Sequence, residues 1–417
     1  MASNPSRRQQ NESEVSEASM TSVTSSLASM MARHLRIAGD LTGITLFDET
    51  ALKKYGPKQL LSQMLSTKSY ISTTSSAAAR DQAAYGEPLL QTAREIGKGQ
   101  CGVVFALIGT PYVLKVPHAG KREELFDDCV NHKKLEEEFN KIEVSKRPDI
   151  NIPTFGEWIA ASNDQFWQSH RQYLPHDIVI DSSLLTTRIF PLPEPVREAI
   201  WTQFAPRQLQ DSAIKEEKLA EAQNKDCLVR VYLGRRMDRK ESSGFKLRNF
   251  ELSVNEMEYL RLDTKMYAET MGSTLALLHW KVGVDANDVE FILGSSPHVK
   301  KTPSSAEYRA AGIKGVDFIS QGIDFTRRSV GLWLIDFNQC KYFTHDHKGL
   351  KQLVAGFRWN DPYYPRPDSK DVRDQELWGI FKGAYLEMSG YYSESQGWAE
   401  RFIAEVEREL RKVDSLF

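Results

Sequence analysis

Glu95–Pro117 reads EIGKGQCGVVFALIGTPYVLKVP, and its reading decides the fold. Gly97, Gly99 and Gly102 stand in G-x-G-x-x-G spacing, with Val104 two residues on and Lys115 after a break at Gly109-Thr110-Pro111. Glycines without Cβ atoms let a backbone pass close to a phosphate. A dinucleotide-binding fold needs a helix after the third glycine. Here Val103-Val104-Phe105-Ala106-Leu107-Ile108 follows, β-branched and apolar, which predicts a strand. The alternative phosphate loop, G-x-x-x-x-G-K-[ST], is absent.

Strand, glycine loop, strand, turn and a strand bearing a lysine resembles the order of the protein-kinase ATP lobe. Such a lobe needs a helix carrying a glutamate to hold the lysine. Residues 121–144, KREELFDDCVNHKKLEEEFNKIEV, supply the helix, with Leu135, Phe139 and Ile142 on one face. Of the three glutamates there, Glu138 lies nearest the apolar stripe, Glu136 next, and Glu137 points away. Glu138 is therefore the expected partner of Lys115. Ile152–Trp158 and Leu184–Phe190 read as further strands. Arg188–Leu192 would then be the hinge that faces adenine. Prolines at 191 and 193 lack amide donors, which leaves Leu192 as the donor.

The 417 residues carry 54 basic and 56 acidic side chains, a net charge of −2. That balance argues against a nucleic-acid surface. The four cysteines, Cys101, Cys129, Cys227 and Cys340, form no C-x-x-C pair, so a cysteine zinc site is not expected. Their sparseness suits a reduced, intracellular compartment, cytoplasmic or nuclear. No apolar run reaches membrane-spanning length, and the N-terminus has no signal-peptide core.

Residues 1 to about 28 are polar and read as disordered. Leu27–Ile37 and Pro57–Leu65 have helical spacing, and Ser69–Ala84 has a linker's composition. Asn249–Trp280 is the longest helical pattern and leads into GVDANDVEFIL, Gly283–Leu293. Kinases place H-R-D-L-x-x-x-N at such a point. An ungapped match sets Asp285 on the catalytic aspartate, to orient an acceptor, and Glu290 on the metal-binding asparagine. Shifts of register bring Asn287 or Asp288 to the catalytic place. His279, at the helix end, reads as a packing residue. Residues 295–328 form a polar insertion. Leu332–Ile335 then reads as a strand delivering Asp336-Phe337-Asn338 in place of D-F-G, with asparagine suited to the glycine's positive φ. Asp336 and Glu290 are the expected Mg²⁺ ligands.

Three stretches, LHWKVGVDANDVEFILG, LWLIDFNQC and RWNDPYYPRP, resemble the signature of a fungal family, a domain of unknown function sometimes labelled zinc finger protein. The resemblance covers about residues 180–395 and implies a fungal intracellular protein with a kinase-like core. After Asp336 only 81 residues remain and no A-P-E motif appears, so a protein-substrate platform is shortened or replaced.

The expected fold is α+β, a two-lobed kinase-like arrangement. Residues 1–88 would be disordered or peripheral, 89–193 a β-rich ATP lobe, 194–248 an insertion or linker, and 249–417 a shortened helical lobe. Two functions fit. One is an atypical phosphotransferase using ATP and Mg²⁺ through Gly97, Gly99, Gly102, Val104, Lys115, Glu138, Leu192, Asp285, Glu290 and Asp336. The other is a pseudokinase-like interaction module with a protein partner. Neither implies a membrane or a nucleic acid.

Overall fold

The computed structural model describes residues 45–48, 52, 54–66, 69–73, 76–85, 93–239, 244–300, 304–306, 309–310, 312, 322–392 and 396–414. Contacts divide the chain into two units: Met1–Gly43 with His298–Asp324, and Ile44–Pro297 with Phe325–Phe417. The second unit carries everything described below, apart from the ends of strands Glu290–Lys300 and Gly322–Ile335 that fall within His298–Asp324.

In chain order its elements include β1 (Thr45–Asp48), α1 (Pro57–Met64), β2 (Ser69–Ser72), α2 (Ser76–Ala83), β3 (Arg94–Lys98), β4 (Gly102–Ala106), β5 (Tyr112–Pro117), α3 (Arg122–Lys141), β6 (Phe155–Ile159), β7 (Ser183–Thr187), α4 (Glu194–Phe204), β8 (Val229–Tyr232) and β9 (Phe250–Ser253). These are followed by α5 (Thr264–Leu277), β10 (Glu290–Lys300), β11 (Gly322–Ile335), α6 (His347–Trp359), α7 (Val372–Tyr391) and α8 (Gln396–Asp414). The architecture is α+β with two sheets: β3-β4-β5-β7-β6, antiparallel throughout, and β1-β2-β11-β10-β8-β9, which is mixed.

Alternation along β5 sorts its side chains between two faces. Leu114 and Val116 pack with Phe105, Trp167 and Leu174 on one side. Lys115 takes the other, opposite Leu184, which packs with Leu125 and Cys129 of α3. Helix α3 is thereby laid against the face that carries the lysine. Gly102 is required by this sheet, because a Cβ there would stand 2.3 Å from the Val116 carbonyl oxygen.

Several expectations need correction. The described part of residues 1–88 is neither disordered nor peripheral. Leu52, Leu60, Leu61 and Met64 are buried in the main core, and β2 pairs with β11. The serine- and alanine-rich composition read as a linker, but its few apolar residues find partners far along the chain. The stretch from 1 to about 28 and the pattern Leu27–Ile37 lie outside the described residues. The stretch 194–248 is no linker either: Trp201 of α4 is fully buried and β8 is internal to the mixed sheet. The long helical pattern of Asn249–Trp280 is split into strand β9, a short helix Val254–Tyr259 and α5. Arg261 takes a left-handed φ of 59° and Asp263 caps the next helix, so the chain turns between them.

Candidate functional site

A cavity of about 660 Å³ is lined from both sheets and from α3. That volume lies in the range of small-molecule and cofactor sites, ~300–1,000 Å³. Gly97, Gly99, Val104 and Lys115 line it, as do Asp128, Glu290 and Asp336. The β4–β5 register sets Val104 directly opposite Lys115. Gly102 does not line the cavity; its role is the close approach of β4 to β5.

Lys115 Nζ stands 2.7 Å from Asp128 Oδ2 and 3.7 Å from Asp336 Oδ1. Burial would strip the ammonium of its proton, but Asp128 and then Asp336 outweigh it and hold the group well above its ordinary range. Asp128 is driven down in turn: burial opposes ionisation, and Lys115 overcomes it. The other Asp128 oxygen accepts from the Phe337 amide at 3.1 Å. Asn131, one turn on, donates to the carbonyls of Phe337 and Cys340 at 2.9 and 3.0 Å. Helix α3 therefore grips the lysine and the segment after Asp336 at once.

Glu138 does not hold the lysine. It pairs with Lys141 at 2.8 Å, at the far end of the helix. Glu136 is buried and accepts from the Phe155 amide at 3.2 Å. The sequence carried the missing signal: Asp128 stands seven residues, about two turns, before Leu135, within the same apolar stripe.

Asp336 leaves β11 with a left-handed φ of 68°, whereas Asn338, expected at the glycine's positive φ, is not among the positive-φ residues. Its Oδ1 is buried and has no hydrogen-bond partner. Burial raises the Asp336 carboxyl, and Lys115 counters part of that rise. Glu290 is paired with Arg230. Burial, with Asp336 and Asp288 nearby, still pushes Glu290 up to about 7.

Asp285 is buried and its oxygens are occupied by the protein itself. Oδ1 accepts from the Lys341 amide at 2.9 Å and the Asn287 amide at 3.2 Å, and Oδ2 accepts from Gln352 at 2.7 Å. It does not line the cavity. Helix α6 closes on this loop because Gly356 has no side chain; a Cβ there would stand 2.6 Å from the Asp285 carbonyl oxygen. Asp288 is half-buried with φ 65°, a conformation that clusters at functional sites. It accepts from Gln339 at 2.6 Å and from the Trp359 indole at 3.4 Å. Burial raises it, and its charge is felt by both Glu290 and Asp336. His279 is buried, bonded to the Tyr385 hydroxyl at 2.9 Å and edge-on to Phe402, with its pKa driven down to about 3 by burial.

The hinge is also furnished differently. The Leu192 amide donates to Cys227 O at 2.9 Å, and Leu192 is absent from the cavity lining. The Arg188 amide donates to Pro111 O and the Phe190 amide to Ser295 O. Between them Arg188, Ile189 and Pro191 line the cavity. Asp226, Arg230 and Arg248, which also line the cavity, were not singled out in the sequence, because 194–248 reads as an insertion or linker.

A family model for a domain of unknown function described as zinc finger protein matches residues 332–397, which hold β11's end, Asp336 and helices α6 and α7. No curated protein and no solved structure matches the chain. Zinc does not fit the residues present. Among the described residues no three His, Cys, Asp or Glu side chains are grouped to hold a metal ion. The matched stretch has one cysteine, Cys340, whose buried thiol is pushed well above its usual range. Among the same residues no helix is long and apolar enough to cross a membrane.

Proposed function

We propose that the protein is a kinase-like phosphotransferase that binds a Mg²⁺–nucleoside triphosphate in the 660 Å³ cavity. One observation carries the reading: Lys115, clamped by Asp128 and facing Asp336, beneath a glycine hairpin whose Gly97 and Gly99 line the same cavity. A lysine on the strand after the glycine loop, held by an acid from the next helix, is the phosphate clamp of kinases. Here the acid is aspartate, one methylene shorter than the usual glutamate.

Lys115 would hold the phosphates nearest the glycine hairpin. Asp336, whose side chain is about one-third exposed beside Lys115, would hold Mg²⁺, which needs only one or two carboxylates besides the phosphates. When bound, the ion would neutralise charge on the phosphates. Asp288 would take the acceptor's proton: it is half-buried and its charge is felt by both Glu290 and Asp336, whereas Asp285 is held by two backbone amides and Gln352. As the acceptor oxygen bonds to the terminal phosphorus, its proton passes to Asp288. The bond to the bridging oxygen breaks, and its electron pair leaves with the nucleoside diphosphate.

A second reading, a nucleotide-binding module without catalysis, is favoured by Glu290. In the ungapped sequence match it falls on the second metal position of kinases, and it is tied to Arg230. Thermal melting with millimolar Mg-ATP and Mg-GTP, together with nucleotide turnover, separates the two. The phosphotransferase reading expects a rise in melting temperature that Lys115→Met abolishes, and turnover that Asp288→Asn lowers on the order of 10²-fold. A melting shift without turnover leaves the binding module. No shift with either nucleotide rejects both.

A further inference from the structure

We propose that Gln339 is a positioning residue that latches the glycine hairpin to the loop carrying Asp288, so that closing over a nucleotide and fixing the proton acceptor become one event. The inference rests on the phosphotransferase reading above. It adds a residue that touches neither nucleotide nor metal in that reading.

The Gln339 side chain meets two other elements at once. Its amide nitrogen donates to Asp288 Oδ2 at 2.6 Å and to Gln100 Oε1 at 3.2 Å. Its oxygen accepts from the Asn287 side-chain amide at 3.4 Å. Gln100 follows Gly99 at the tip of the hairpin between β3 and β4, and Asn287 and Asp288 belong to the loop between α5 and β10. These partners lie 239 and 51 residues from Gln339 along the chain, so one terminal amide joins segments that only the fold brings together.

The backbone beneath Gln339 is fixed. Buried Asn131 of α3 donates to the carbonyls on either side of it, those of Phe337 at 2.9 Å and Cys340 at 3.0 Å. The Cys340 amide donates back to Phe337 O at 3.2 Å, closing a turn. The hairpin tip is held from its own sheet as well. His118 Nε2 donates to Gly99 O at 3.0 Å, and the His118 amide to Cys101 O at 2.9 Å. The latch thus runs between two braced supports.

Its two arms differ in strength. The bond to the Asp288 carboxylate is short and charge-assisted, a kind roughly twice as strong as a neutral pair. The bond to Gln100 is longer, neutral and exposed to competing water. The hairpin arm therefore opens to admit a ligand while the carboxylate arm persists. When a nucleotide settles against Gly97 and Gly99, Gln100 returns and pins the free edge of the amide, and Asp288 is held in one orientation. Asp288 Oδ1 meets the Trp359 indole at 3.4 Å, a long contact that leaves lone-pair capacity for the acceptor's proton.

The test is a double-mutant cycle of Gln100→Ala and Gln339→Ala in the full chain. It is read by calorimetric binding of Mg-ATP and Mg-GTP, by turnover and, without nucleotide, by hydrogen exchange at the Gly99 amide. Each single change should weaken nucleotide binding on the order of threefold to tenfold, the scale of one hydrogen bond. The double variant should bind no more weakly than Gln339→Ala, since both changes break the same bond. Exchange at Gly99 should quicken in both single variants. At saturating nucleotide Gln339→Ala should also lower turnover on the order of tenfold, as misplaced reacting groups do. Additive losses in the double variant, or Gly99 exchange unmoved by Gln339→Ala, overturn the latch and leave the nucleotide reading intact. Equal turnover of Gln339→Ala and wild type at saturating nucleotide overturns it too. No binding of either nucleotide by wild type rejects the nucleotide reading, and this role for Gln339 with it.

Discussion

The cavity wall around Lys115 and the loop between α5 and β10 are both rich in carboxylates, and they spend them differently. On the wall, Asp128 and Asp336 share one ammonium, and Asp336 Oδ1 faces it at 3.7 Å without a hydrogen bond. In the loop, Asp285 is saturated by two backbone amides and Gln352, and holds Gly283–Val289 against the segment after β11. A buried carboxylate that accepts several N–H bonds is scaffold; one facing a cation across a cavity with an oxygen to spare is equipped for a ligand. Asp288 stands between these cases, half-buried and held by one side-chain amide and one indole.

The largest effect should come from the wall. Lys115→Met leaves two carboxylates uncompensated, and breaking a buried pair in this way costs about 3–5 kcal/mol. Urea unfolding at pH 7 measures it; a loss below about 1 kcal/mol would mean that the two carboxylates are solvated and that the wall is not a clamp.

Glu290 gives the contrast a pH dependence. Its folded pKa, about 7, lies above its ordinary 4.5, so the folded state holds the extra proton between those values. The stability that Glu290 contributes is full below about 4.5 and is lost as pH rises through about 7. The decline should be on the order of 3 kcal/mol at ~1.4 kcal/mol per pKa unit. Unfolding midpoints of wild type and Glu290→Gln at pH 5 and pH 8 test this. The wild type should lose stability relative to the variant over that interval, and parallel curves would refute it.

In the loop, Asp285→Ala should cost about 2 kcal/mol, the scale of leaving a buried amide donor unpaired. Amide exchange at Lys341 should quicken with it. If Asp285→Ala leaves stability unchanged, the division between scaffold and ligand-facing carboxylates fails at its clearest member. The smallest effect on stability belongs to Asp288→Asn. Asparagine tolerates the left-handed backbone that this position requires, so the change should stay within about 0.5 kcal/mol. A larger loss would make Asp288 scaffold as well.

The glycine hairpin, the lysine strand and the helix after it were legible in the sequence because each is a local pattern. Glycine spacing, β-branched runs and helical periodicity act within a few residues. Asp336 was legible for the same reason, as the acid at the exit of an apolar strand. Which acid meets Lys115 was not. Periodicity places Asp128 and Glu138 near one stripe, and only the lie of α3 across β5 brings its first half, not its last, to the lysine. Likewise the linear motif set Asp285 on the catalytic place and reached Asp288 only by a shift of register. Their difference arises from Lys341 and Gln352, more than fifty residues further on. Arg230 and Arg248, which line the cavity, come from a stretch that reads as an insertion or linker until β8 and β9 carry it into the mixed sheet. The sequence by itself determined the glycine hairpin, the lysine strand and the helix after it, since those preferences are settled between near neighbours. Tertiary structure alone decided which charges are paired, which are saturated and which are left facing the cavity, because burial and counter-charge are set by residues distant in the chain.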